Sequence, residues 1–139
     1  MDRYSEVKKK ERIWVWGMGR LAKSYIHNID ANLNICGFCD VDTGKHGKSF
    51  DWRGRVIKCF SPDSIHNEDG VIIAIENKKL VAEISKSLDE KQIVWCHIFD
   101  SVKAYYSSIE KYVQWKEIDN EEKKIVKFDY YRVFNVKKI

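Results

Sequence analysis

Hydrophobic and polar positions along this chain alternate between two rhythms. Residues 13–16 (IWVW) are apolar without interruption, the pattern of a strand buried on both faces. Leu21, Ala22, Tyr25, Ile26 and Ile29 follow on one helical stripe. Residues 33–40 (LNICGFCD) read as a second strand that closes at Asp40, and residues 55–60 (RVIKCF) as a third. Between them, residues 41–54 carry the glycines and lysines of a loop. Ser61 and Pro62 form the N-cap and first position of one helical turn. Residues 70–75 (GVIIAI) give a fourth strand. A helix over 77–90 should turn Leu80, Val81, Ile84 and Leu88 inward. Residues 92–99 give a fifth strand. Asp100 or Ser101 then caps a helix with Val102, Tyr105, Tyr106, Ile109 and Val113 on one side.

Strands alternating with helices from Ile13 to Val113 predict an α/β domain: a doubly wound, mostly parallel sheet of about five strands with helices on both faces. The expected division is a basic leader at 1–11, the α/β domain at 12–113 and a C-terminal extension at 114–139. The β-branched and aromatic content of the extension favours strand, with a helix from Asp119 as the competing reading.

Composition narrows the class. The 139 residues suit one domain, and 44% hydrophobic residues supply a core. The net charge of +4 is dispersed, with lysines gathered at the two ends and no dense basic stripe interleaved with aromatics. That argues against a dedicated nucleic-acid binder. No secretory h-region opens the chain, and its longest purely apolar run, VIIAI, is too short for a membrane span. The four cysteines are accordingly expected to be reduced, in a cytoplasmic protein.

The candidate chemistry sits where the first strand meets the first helix. Gly17-Met18-Gly19-Arg20-Leu21-Ala22 is G-x-G-x-x-A in the context that gives the string meaning, a buried strand before it and an amphipathic helix after it. Gly17 permits the tight turn. Gly19 lets backbone N–H groups approach a pyrophosphate, and Ala22 lets the helix pack close to the strand. Arg20 could add a charged contact. Asp40 lies 21 residues beyond Gly19, where a carboxylate accepts from ribose hydroxyls and repels a 2′-phosphate, so NAD is favoured over NADP.

Other constellations carry less. Cys36 and Cys39 form a C-x-x-C inside a strand, where residues three apart point to opposite faces, so neither a disulfide nor a metal site is expected. Among the histidines, His27 is expected to be exposed, His46 lies in the loop near the proposed nucleotide, and His97 ends the fifth strand with Asp100 nearby. Tyr105 and Tyr106 have Ile109 and Glu110 four residues on, not the lysine of a short-chain dehydrogenase. No catalytic set is assigned.

Gly37-Phe38-Cys39-Asp40-Val41-Asp42, Lys45-His46-Gly47-Lys48, Gly54-Arg55-Val56 and Ser61-Pro62, in that order after the glycine turn, form a pattern. It resembles the Rossmann-like domains of bacterial polysaccharide-biosynthesis proteins. Those domains include the one preceding the catalytic domain of nucleoside-diphosphate-sugar epimerase/dehydratases and the N-terminal domain of sugar acyltransferases. The resemblance covers roughly residues 12–99. Residues 74–84 (AIENKKLVAEI) are also similar to a Rossmann-like domain of some sugar C-methyltransferases. The resemblance implies that Gly17, Met18, Gly19, Arg20, Leu21, Asp40 and Asp42 line a pocket for NAD, a UDP-sugar or another nucleotide. The chain stops about forty residues after the fifth strand, with neither the dehydratase domain nor the acyltransferase β-helix. Three readings therefore stand at this point: a nucleotide-binding module served by a separate catalytic domain, a small oxidoreductase or epimerase completed by a partner chain or a homo-oligomer, and a structural domain with no ligand.

Overall fold

The computed structural model describes residues 2–116, with side chains to 109. Its centre is a six-stranded sheet in the order β3-β4-β2-β1-β5-β6. The strands are β1 (Ile13–Trp16), β2 (Ile35–Cys39), β3 (Ser49–Trp52), β4 (Arg55–Phe60), β5 (Gly70–Ile73) and β6 (Val94–His97). All pair in parallel except β3, which is antiparallel to β4. Chain order reverses across β1: β2 and β4 lie to one side, β5 and β6 to the other. That reversal opens a crevice beyond the carboxyl ends of β1, β2 and β5, and the arrangement is Rossmann-like.

The helices are α1 (Arg3–Lys8), α2 (Arg20–Tyr25), α3 (Lys78–Glu90) and α4 (Ile98–Lys116). One sheet face buries Ile13, Val15, Phe38 and Ile72 with Ala22 and Ile26 of the first helical segment and Val102 of α4. The other buries Trp14, Cys39, Val71 and Ile73 against Leu88 of α3. Gly37 has no side chain because the Trp14 indole lies on it: an added Cβ would meet the ring at 2.8 Å. The Trp14 Nε1–H then donates to buried Asp69 at 2.9 Å, which also pairs with Arg12.

Five strands were expected and six are present, because part of the stretch read as a loop is β3. Phe50 and Trp52 turn inward while Ser49 and Asp51 stay exposed, a period-two alternation too short to stand out among glycines and lysines. The turn to β4 is Arg53-Gly54, with φ of 53° and 82°, the left-handed pair that a two-residue hairpin needs. Trp52 is fully buried and donates its Nε1–H to the Ile26 carbonyl at 2.7 Å. The hairpin thus extends the sheet beyond β2, with Trp52 tied to the turn that follows α2, and β3 takes the place of the helix that a regular alternation would put between β2 and β4.

Smaller departures follow from local chemistry. The helix expected after β1 runs as α2 only to Tyr25 and continues as a 3-10 turn at Ile26–Asn28, with Ile29 still buried. Ser61 caps the Pro62–Ser64 turn as expected. Asn77 caps α3, but Leu80 is 45% exposed, so only Val81, Ile84 and Leu88 of the expected four pack inward. The last helix begins at Ile98, before the expected caps. Asp100 lies in its first turn and accepts from the His97 N–H, and Ser101 is buried against Cys96. The segment read as a leader contains α1, whose Val7 is buried in the core. The two readings of residues 119–139 lie outside the described residues.

Candidate functional site

The glycine turn forms the floor of a groove of about 440 Å³ at the carboxyl ends of the central strands. Its two glycines answer to different demands. Gly17 has φ +112°, and an added Cβ would stand 2.7 Å from the Ala74 carbonyl oxygen and 3.0 Å from Ile75. The fold alone requires glycine there, with or without a ligand. Gly19 is extended, with φ −101° and ψ −158°, and an added Cβ would find only the Lys45 Nζ, at 3.8 Å. Nothing in the protein forbids a side chain at Gly19. The space it leaves faces the groove.

Gly19 is also the N-cap of α2 and makes no side-chain cap hydrogen bond. The first N–H groups of a helix have no intrahelical acceptor, so those of α2 are left for a ligand or water. Leu21 and Ala22 anchor the turn in the core while Arg20 is exposed at the rim.

Asp40 stands directly after β2, and its backbone and carboxylate organise the loop that follows. Its Oδ2 accepts from the Met18 N–H at 3.2 Å and its Oδ1 from the Asp42 N–H at 2.9 Å. Lys45 Nζ lies 3.5 Å from Oδ2. Partial burial opposes ionisation, but the N–H groups of Asp42 and Met18 and the Lys45 ammonium outweigh it, holding the carboxyl below its ordinary range. The Asp40 carbonyl is met by His46 Nε2 at 2.7 Å. A carbonyl only accepts, so Nε2 carries the proton.

The residues picked out by the sequence do not all face the groove. Gly17, Gly19, Arg20, Leu21 and Asp40 line it together. Met18 sends its side chain into the core and commits its N–H to Asp40. Asp42 is exposed and caps a 3-10 turn at Thr43–Lys45 by accepting from the Gly44 N–H. Several wall residues were not assigned to the site from sequence, among them Lys45 and Val41, which stood only in the loop pattern of the resemblance, and Leu80, which was expected in the core. Val41 and Leu80 are 74% and 45% exposed and present apolar surface to the groove, with Trp16 between the turn and the core. Glu76 and Glu83 add carboxylates on the α3 side.

The remaining candidates have structural roles. His97 Nδ1 accepts from the Phe99 N–H and Nε2 donates to the Ile75 carbonyl, so both ring nitrogens are occupied by the backbone. His27 is exposed. All four cysteines are free. Burial raises each thiol above its ordinary value, Cys96 to about 12, so none is a ready thiolate. No group of three metal-ligating side chains occurs among the described residues. A tyrosine–lysine spacing of four does occur at Tyr4–Lys8 and Tyr112–Lys116. Tyr4, however, lines a separate hollow between α1 and α4, with its hydroxyl pushed up to about 12 by burial. The Tyr112 side chain lies outside the described ones. Among the described residues, no helix is long and apolar enough to cross a membrane.

Residues 9–99 match the family described as C2185-like, N-terminal. The chain belongs to that family. No curated protein matches it. Three solved chains do, among them the crystal structure of aspartate semialdehyde dehydrogenase II complexed with ASA from Vibrio cholerae. That likeness has a TM-score of 0.51 at 9% identity and covers 64% of this chain and 31% of that one. The chain thus spans less than a third of that protein's length, and at such identity the likeness shows the Rossmann-like fold alone. The family description carries no link to polysaccharides.

Proposed function

We propose that this C2185-like N-terminal domain binds a nucleoside diphosphate, as NAD or as a nucleotide-sugar, in the groove over Gly19. The observation that carries the reading is the contrast between the glycines. Gly17 is explained by the fold, whereas Gly19 leaves room that only something outside the protein would use. The phosphates would lie over Gly17–Leu21, and a base would rest between the exposed apolar side chains of Val41 and Leu80. The end of β2, where Asp40 stands, is the place a ribose-facing carboxylate takes in dinucleotide folds, although its oxygens here are engaged by Met18, Asp42 and Lys45. Asp42 would border that end of the site. The fold shared with a dehydrogenase supports a nucleotide, and the resemblance to polysaccharide-biosynthesis domains supports a place in sugar-nucleotide metabolism. Chemistry, where it occurs, would come from a further catalytic domain or a partner chain, since His97 and the cysteines offer no free acid, base or nucleophile.

Titration with NADH, NADPH, UDP-glucose and S-adenosylmethionine, followed by tryptophan emission and thermal midpoint, tests this. Trp16 borders the groove and reports occupancy. A ligand at a hundredfold excess over its Kd stabilises the native state by about 2.7 kcal/mol, which shifts the midpoint by several degrees. NADH or UDP-glucose should do so, and Gly19→Val should abolish the shift. If none of them moves the midpoint at millimolar concentration, the proposal fails.

A further inference from the structure

We infer that Lys45 is the residue that grips the ligand's phosphate, and that Asp40 positions the turn and Lys45 instead of holding the ribose. The inference rests on the nucleotide reading above. Apart from its chain neighbours, the atom within 4 Å of where a Gly19 Cβ would be is Lys45 Nζ, at 3.8 Å. An ammonium carries three N–H donors. Asp40 engages it from one side at 3.5 Å, and a phosphate oxygen over Gly19 would meet the remaining capacity.

The loop is built to aim that lysine. Asp42 caps the turn that carries it, and the Lys45 N–H donates to the Asp42 carbonyl at 3.0 Å. His46 ties the next residue back to the Asp40 carbonyl at 2.7 Å. Gly47 and Lys48 then pair with Cys59 of β4 at 2.9 and 2.8 Å, fixing the far side of the loop to the sheet. The Lys45 side chain is only 33% exposed, far less than a solvated loop lysine. Asp40 is correspondingly occupied. Its two oxygens already take the Met18 and Asp42 N–H groups and the Lys45 ammonium. A carboxylate offers about four lone-pair directions, so little capacity is left for a vicinal diol.

Full-length protein is titrated calorimetrically with UDP, ADP and NAD+, and with the 2′-deoxy forms of UDP and ADP, at several salt concentrations. Lys45→Met should weaken UDP and ADP by about tenfold or more, as expected for loss of a charge-assisted contact. It should also flatten the salt dependence, while Lys45→Arg restores both. Removal of the 2′-hydroxyl should leave wild-type affinity nearly unchanged. Unaltered circular dichroism and melting separate a binding defect from misfolding. If Lys45→Met binds UDP and ADP as tightly as wild type, the assignment to Lys45 is wrong although the nucleotide reading stands. A tenfold loss on 2′-deoxygenation overturns the positioning role of Asp40. If UDP, ADP and NAD+ all fail to bind wild type, the nucleotide reading falls and this inference with it.

Discussion

The same small substitution placed two residues apart should have very unequal consequences. Gly17→Ala forces an L-residue to φ +112° and drives a methyl to 2.7 Å from the carbonyl oxygen of Ala74, the residue after β5, whose N–H donates to the Trp16 carbonyl at 2.8 Å. Backbone strain of this kind costs about 1–3 kcal/mol. The overlap with Ala74 adds overpacking, which typically costs about 1–3 kcal/mol more. The sum is a large part of the stability of a small domain, about 5–15 kcal/mol in all. Gly19→Ala meets neither problem, because its backbone is extended and its neighbour is a lysine tip. Ala is a poorer N-cap than Gly by up to about 1 kcal/mol. Restricting the unfolded chain returns about 0.4–1 kcal/mol, so the net change should be close to zero. Urea unfolding, monitored by circular dichroism and tryptophan emission, measures both variants. Gly17→Ala should unfold at markedly lower denaturant, with Gly19→Ala near wild type. Equal destabilisation of the two would mean that Gly19 is needed by the fold, and the argument that its space is reserved for a ligand would collapse.

Two further expectations concern stability. Trp52→Ala removes a fully buried indole and its bond to the Ile26 carbonyl, and should cost about 3–5 kcal/mol. Trp52→Phe should recover most of that, and a Trp52→Ala variant as stable as wild type would show that Trp52 does not anchor the hairpin to the core. The Asp40 carboxyl titrates below its ordinary value in the folded protein. Its contribution is therefore complete above about pH 4 and is lost as pH falls through the folded value. Asp40→Asn should be less stable than wild type at pH 7, and the gap should narrow on acidification. A gap that widened toward low pH would contradict the assigned direction.

The alternation of strands and helices was legible because each central strand is a short apolar run and each helix keeps a stripe. The mostly parallel sheet and the place of Asp40 directly after β2 followed from that alternation. The hairpin was not legible: its buried positions, Phe50 and Trp52, are two residues in a stretch otherwise polar and glycine-containing. Leu80 occupies a core-like helical spacing but sits in the first turn of α3, where it is exposed on the groove wall. The site was half legible. The glycine string assigned Gly17 to the turn and Gly19 to a close approach, but only their neighbours in space tell a position that the fold forbids to a side chain from one that it leaves open. Lys45 was invisible as a site residue because its significance is a distance to Gly19 across 26 residues of chain, set by hydrogen bonds of the loop to β4.

The central claim is that the groove over Gly19 holds a nucleotide, and the amide spectrum of labelled protein tests it most directly. Titrated with NAD+ or with UDP-glucose, resonances of residues 17–21, 40–45 and 74–84 should shift together and saturate, while those of the hollow between α1 and α4 stay put. Saturable shifts confined to other surfaces, or none with either compound at millimolar concentration, would contradict the account.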